Sequence, residues 1–175
     1  MAAAPSESTA NAEENANAAS APSEKQALSI EQFPYVQVVP TRWHDNDVYG
    51  HINNTIYYSV MDTAVNTWMI GEAGLDPERS PVIGVVISSS CEYRASAAFP
   101  DTLKLGVACA RLGTSSVVWR TGVFLADGDK PLAEGRFVHV FVDRETMRPV
   151  PIPERIRGLI EQRLVVAEPV EGEAG

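Results

Sequence analysis

The sequence predicts an α+β fold in which an antiparallel sheet wraps around one long central helix. Three observations carry that prediction. One stretch, residues 54–71, repeats apolar side chains at helical spacing. Four later stretches, from Val82 to Val142, read as strands, by period-two alternation or by short β-branched apolar runs. Phe99-Pro100-Asp101, Gly113-Thr114 and Asp127-Gly128-Asp129 punctuate those strands as turns.

The elements follow in order. Residues 1–30 are rich in Ala, Ser, Asn and Glu with almost no large apolar side chains, so they predict a disordered tail that cannot offset its ordering entropy. A single domain is expected over 31–165. Phe33 to Pro40 reads as a first strand, with Pro40 at its end. The helix starts near Asn54, with Asn53 or Asn54 as N-cap and Gly71 as its stop. Tyr57, Met61, Ala64 and Trp68 make its apolar stripe, widened by Ile56, Val60 and Val65. A second strand opens at Val82 and runs towards Arg94. Leu103, Leu105, Val107 and Cys109 lie on one face of a third. Val117–Leu125 is a fourth, and Asp127-Gly128-Asp129 turns it into a fifth, Leu132–Val142, as a hairpin. The last four strands read as a meander. Pro149, Pro151 and Pro153 break the chain before a short helix from Glu154, and 166–175 form an acidic tail.

The formal net charge is −9, yet residues 1–32 hold −4 of it and 166–175 hold −3, leaving −2 for the middle. The absence of a basic stripe argues against nucleic acid as a partner. No run approaches the roughly 20 apolar residues of a membrane span, and Met1 to Pro5 lacks the basic start of a signal peptide. The expected location is cytoplasmic. Cys91 and Cys109 sit in apolar strand-like runs with no redox or zinc spacing, so both are expected as reduced, buried thiols.

The chemistry concentrates in Arg42-Trp43-His44-Asp45-Asn46-Asp47-Val48-Tyr49-Gly50-His51-Ile52-Asn53-Asn54. This loop sets two carboxylates and two imidazoles just ahead of a helix. Unpaired N–H groups and about half a positive charge gather at such a helix start, which suits the polarisation of a carbonyl. Each carboxylate has a plainer alternative as a turn residue that binds its own backbone. Asp45 is expected to order the loop or pair with Arg42. A metal site from His44, Asp45, Asp47 and His51 is disfavoured, since the spacing matches no ligand pair on a helix. There is no Gly-x-Ser-x-Gly elbow for a serine hydrolase. Asp62 stands in an apolar helix, where an unpartnered carboxylate is costly. His139 reads as a core histidine.

This loop, read as Arg-Trp-x-Asp-x-Asp-x-x-Gly-His-x-Asn-Asn and followed by Tyr57-Tyr58, resembles the hotdog-fold acyl-CoA thioesterases of the 4-hydroxybenzoyl-CoA thioesterase-like group. Leu112-Gly113-Thr114-Ser115-Ser116 and the segment from Val142 to Pro153 extend the resemblance in the same order. It implies a hotdog fold, assembly into homodimers or homotetramers, and active sites at the dimer interface. It implies an acyl-CoA substrate hydrolysed to acid and CoA, with no metal or organic cofactor. Asp47 aligns with the family carboxylate, as general base or nucleophile, and the Asn54 backbone N–H with the carbonyl-polarising amide. His51 joins them as a catalytic candidate. Tyr57, Tyr58, Asp62 and Ser116 are the substrate-binding candidates. Arg94, Lys104, Arg111, Arg120 and Arg136 are the cations available to CoA phosphates. Another hotdog enzyme, acting on acyl-carrier-protein esters or as a hydratase, and a non-catalytic acyl-CoA-binding module are the rivals.

Overall fold

The computed structural model describes residues 27–128 and 130–165, so most of the expected N-terminal tail and all of the C-terminal one lie outside the described residues. The elements are β1 (Tyr35–Pro40), α1 (Asn54–Gly71), β2 (Val82–Tyr93), β3 (Thr102–Leu112), β4 (Ser116–Leu125), β5 (Pro131–Asp143) and α2 (Glu154–Arg163). The strands form one antiparallel sheet in the order β1-β3-β4-β5-β2.

Asn53 caps α1 by accepting from the Thr55 N–H at 3.0 Å. Tyr57, Met61, Ala64, Val65, Trp68 and Met69 are buried along its sheet-facing side. They meet the inner residues of the sheet, which the register aligns across β3, β4 and β5 as Val107–Thr121–Gly135 and Cys109–Trp119–Phe137. Trp68 and Trp119 are both fully buried, with ring centroids 5.8 Å apart. Each such side chain withdraws enough apolar surface to stabilise the fold by about 1.5–3 kcal/mol. Gly135 is required on β5 because a methyl there would lie 2.5 Å from Met61 Sδ.

α1 ends at Gly71 as expected, with Glu72 as its C-cap, and the left-handed residue follows at Gly74, at φ +74°. The chain stays right-handed past Gly71 because the Glu72 and Ala73 N–H groups both return to the Trp68 carbonyl. Two expectations about the course of the chain are corrected. The last four strands are not one meander. Only β3, β4 and β5 follow each other, while β2 pairs with β5 at the far edge. Residues 94–101 bridge that gap, since eight extended residues reach about 28 Å and the three strand spacings from β2 to β3 amount to only about 14 Å. Phe33 is the second correction. It leaves the line of β1 and turns onto the outer face of the sheet, packing with Leu28, Ala108 and Phe124. Gly106 and Gly122 leave the hollow it fills; a methyl on Gly122 would lie 2.7 Å from its ring. Arg120 stacks over that ring at 5.2 Å and also donates to Gln32. Packing therefore reaches back to Leu28, ahead of the expected domain start.

α1 packs over β1, β3, β4 and β5. β2 extends beyond it as an edge strand, where Val86 is 44% and Ile87 64% exposed and Ser88, Ser89 and Ser90 are open. A bulge between Val86 and Ser88 interrupts its register with β5. Cys109, on β3, is buried as expected, whereas Cys91, on this edge strand, is only half-buried.

Candidate active site

The motif loop folds on itself through its acids. Asp45 is buried and takes the Arg42 N–H at 2.7 Å and the Arg42 guanidinium at 3.0 Å. Its carbonyl accepts from Asn53 N–H, which fixes where the helix begins. Asp47 Oδ1 accepts from Tyr49 N–H at 2.8 Å and from His51 N–H at 3.4 Å. The Asp47 N–H donates to the His51 carbonyl at 2.8 Å, and Gly50 completes the turn at φ +82°. The 94–101 link is sewn to this loop by Ile52 N–H to the Ala97 carbonyl and Phe99 N–H to Asn46 Oδ1.

Two elements and the link border an open cleft of about 350 Å³, lined by Ile52, Asn54, Tyr57, Tyr93, Arg94, Ala95 and Ser96. At its floor is the first turn of α1. The Thr55 N–H goes to Asn53 Oδ1 and the Ile56 N–H to the Asn53 carbonyl. Asn54, as the first helical residue, has no carbonyl four residues back inside the helix to receive its own N–H. Among the described residues that amide has no acceptor, and it lies at the positive end of an eighteen-residue helix.

The expected site residues divide into groups. Asn54 and Tyr57 line the cleft. Asp47 and His51 stand in the loop beside it but do not line it in the single chain. His51 contributes its backbone to the loop, and its side chain is exposed. Asn54, Tyr58, Asp62 and Asn66 follow one another at four-residue steps, which places them on one ridge of α1. Tyr58 packs on Phe137 of β5 at 6.3 Å. Burial pushes the Asp62 carboxyl up, opposed by Asn66, and its Oδ1 is buried without a hydrogen-bond partner among the described residues. Ser116 is not brought to the cleft of its own chain. Ser116 pairs with Val140 of β5 and Tyr93 with Ala133, seven residues apart, or roughly 23 Å along the strand.

Of the cations, Arg94 is at the cleft, paired with Glu134 at 2.9 Å. Arg120 is committed elsewhere, to Glu134 at 2.7 Å and to the outer-face ring of Phe33. Tyr93 was not among the expected residues. The signal for it was available only as the last inward position of β2, whose place in the sheet is a long-range property.

His139 lies in the core, 1% exposed, beside Trp119, and its Nδ1 has no hydrogen-bond partner among the described residues. Burial lowers its pKa from 6.5 to about 4. Above pH 6.5 the ring is neutral in the folded and unfolded chains alike. Between pH 6.5 and about 4 the unfolded chain takes up a proton that the folded chain refuses, so stability declines as pH falls. Urea unfolding is expected to show a loss of about 2 kcal/mol between pH 7 and pH 5 from this group. His139→Leu should remove that part of the slope; an unchanged slope would assign it elsewhere.

Comparison with known proteins places these features in a family. The model described as the thioesterase-like superfamily matches residues 41–160. The PA5185 protein of Pseudomonas aeruginosa is 48% identical, with a TM-score of 0.77 over 80% of this chain and 98% of its own. The PA2801 protein of the same organism, which bears a provisional thioesterase name, is 32% identical, with a TM-score of 0.69 over 73% and 98%. A 1,4-dihydroxy-2-naphthoyl-CoA thioesterase from Synechocystis shares the fold at 15% identity, with a TM-score of 0.67 over 72% and 94%. No curated protein matches the chain.

Proposed function

The chain belongs to the thioesterase-like superfamily and has its hotdog fold, and from that premise we propose that it hydrolyses an acyl-CoA to the free acid and CoA. The observation that carries this reading is the place of Asn54, the first helical residue, in the lining of the cleft, with no acceptor for its N–H among the described residues. An acyl carbonyl resting on it would gain as the oxygen becomes anionic; such donors are worth about 3 kcal/mol each in a transition state. Asp47 supplies the other half. As general base it takes a proton from water while the water oxygen bonds to the carbonyl carbon; the tetrahedral intermediate then expels the CoA thiolate, which is protonated. As nucleophile it bonds to that carbon itself, CoA leaves, and water opens the anhydride. Neither route calls on a metal or organic cofactor.

The site is completed by a second copy. An antiparallel pairing of two β2 edges, centred on residues 86–90, would continue the sheet and place the Ser116 end of one subunit beside the Tyr93 end of the other. This supports Ser116 as a substrate contact supplied across the interface, and it gives the Asp62 ridge a cover. A homodimer is the minimal unit of this reading, and pairs of dimers would give a tetramer. Asp62 and Tyr58 would then face the acyl group, and His51 would steady the loop or the thioester. No helix among the described residues is long and apolar enough to cross a membrane. On this reading the substrate is a dissolved CoA ester in the cytoplasm, and neither nucleic acid nor membrane is a partner.

The test is thiol release from short, long, branched and aromatic acyl-CoAs, run beside the matching acyl-carrier-protein esters and enoyl-CoAs. Release from CoA esters is the expected result. Release only from the carrier-protein esters, or loss of the enoyl double bond without thiol, would replace this reading with a rival hotdog activity. Tight binding without turnover would make the chain a binding module.

A further inference from the structure

We infer that Tyr93 is a positioning residue for the oxyanion-binding amide, a role that rests on the proposed use of the Asn54 N–H. Its phenol donates to the Asn54 carbonyl at 3.1 Å, across 39 residues of sequence. Its ring stands edge-on to Tyr57, centroids 5.3 Å apart at 85°, and both rings line the cleft. Residue 54 is therefore gripped from two sides. The Asn53 side chain holds the Thr55 N–H and hydroxyl, and the phenol holds the Asn54 carbonyl.

The grip matters because helix ends fray. The first turn has few bonds of its own, and the peptide that carries the reactive N–H hinges at the Cα of residue 54. A donor fixed in advance is worth more to a developing oxyanion than one that must reorient. The phenol is suited to a fixed grip. Burial, together with the neighbouring Cys91, Tyr58 and Tyr57, pushes its pKa up to about 12, so it remains a donor throughout the neutral range. Tyr93 also closes β2, the strand proposed to pair with the second subunit, so assembly and the carbonyl site share one strand end.

Tyr93→Phe keeps the ring and removes only the hydroxyl. Expected are a roughly tenfold fall in kcat, KM within about twofold, and unchanged limbs of the pH profile. Amide hydrogen exchange in the peptide spanning residues 52–58 should quicken without change in the rest of α1. Unaltered kcat and unaltered exchange would overturn the positioning role. If Tyr93→Phe also lowers the melting temperature, Tyr93→4-aminophenylalanine decides the matter. It restores a ring-borne N–H donor, and it must recover most of kcat or the role is refuted. Asp47→Asn in the same assay separates the two levels. Inactive Asp47→Asn with fully active Tyr93→Phe removes this inference alone, whereas fully active Asp47→Asn removes the reading beneath it.

Discussion

Asp47→Asn is expected to lower thioester turnover by at least about 100-fold with the fold intact, the scale of losing a positioned base. The substitution is selective for a physical reason. Asp47 Oδ1 is an acceptor for two backbone N–H groups of its own loop, and a carboxamide oxygen can fill that role. What Asn lacks is the charge, and with it the ability to accept a proton from water or to attack a carbonyl. The loop should therefore keep its shape while the chemistry stops. Steady-state thiol release measures the loss; near-ultraviolet circular dichroism and melting temperature check the fold. If Asp47→Asn proves unstable, Asp47→Ser, which retains an acceptor for Tyr49 N–H, repeats the comparison. Wild-type turnover in a folded variant would leave the residue as a turn former only.

The second large effect is expected at the open edge of β2. Exposed strand edges are normally blunted by charge or proline because their free N–H and C=O groups invite another strand. Here the central stretch Val86-Ile87-Ser88-Ser89-Ser90 has neither, and its two aliphatic side chains are both exposed, Ile87 the more so. Val86→Lys combined with Ile87→Lys would set four ammonium groups around a two-fold axis in the proposed dimer. Like charges brought together in this way cost several kcal/mol, so the dissociation constant should rise at least about 100-fold. Sedimentation velocity should show monomers at micromolar concentration, and turnover per chain should fall with them. A dimer that persists would place the interface elsewhere; a fully active monomer would show that the site needs no second copy.

What could be read from the sequence, and what could not, follows from the range of the forces involved. The start of α1 was legible to within one residue, Asn53 or Asn54 as its cap, because capping is local: Asn53, its acceptor oxygen and Thr55 are neighbours. Its end was legible too: α1 stops at Gly71, and the left-handed residue that turns the chain towards β2 follows at Gly74. The faces of β3, β4 and β5 were legible from alternation, and His139 fell in the core as expected. The position of β2 was not, because a link of eight residues fits both a hairpin-like loop and a crossing from one sheet edge to the other. Phe33 carries the same lesson. It extends a strand-like run, yet its place is decided by two glycines, Gly106 and Gly122, aligned only once β3 and β4 are in register. At the site, the helix-start amide could be anticipated from the cap. Tyr93 could not, since its partner is 39 residues away and on another element.

The plug formed by Phe33 bears on how the protein can be shortened. A version starting after residue 33 would lay bare a glycine-floored hollow beside Ala108 and Phe124 and strip Arg120 of its stacking ring and its Gln32 acceptor. Freshly uncovered apolar ground on a broad sheet invites self-association. In a thermal ramp followed by static light scattering, the trimmed chain should clump at lower temperature than the full-length one, while a trim ending before Leu28 should behave like the parent.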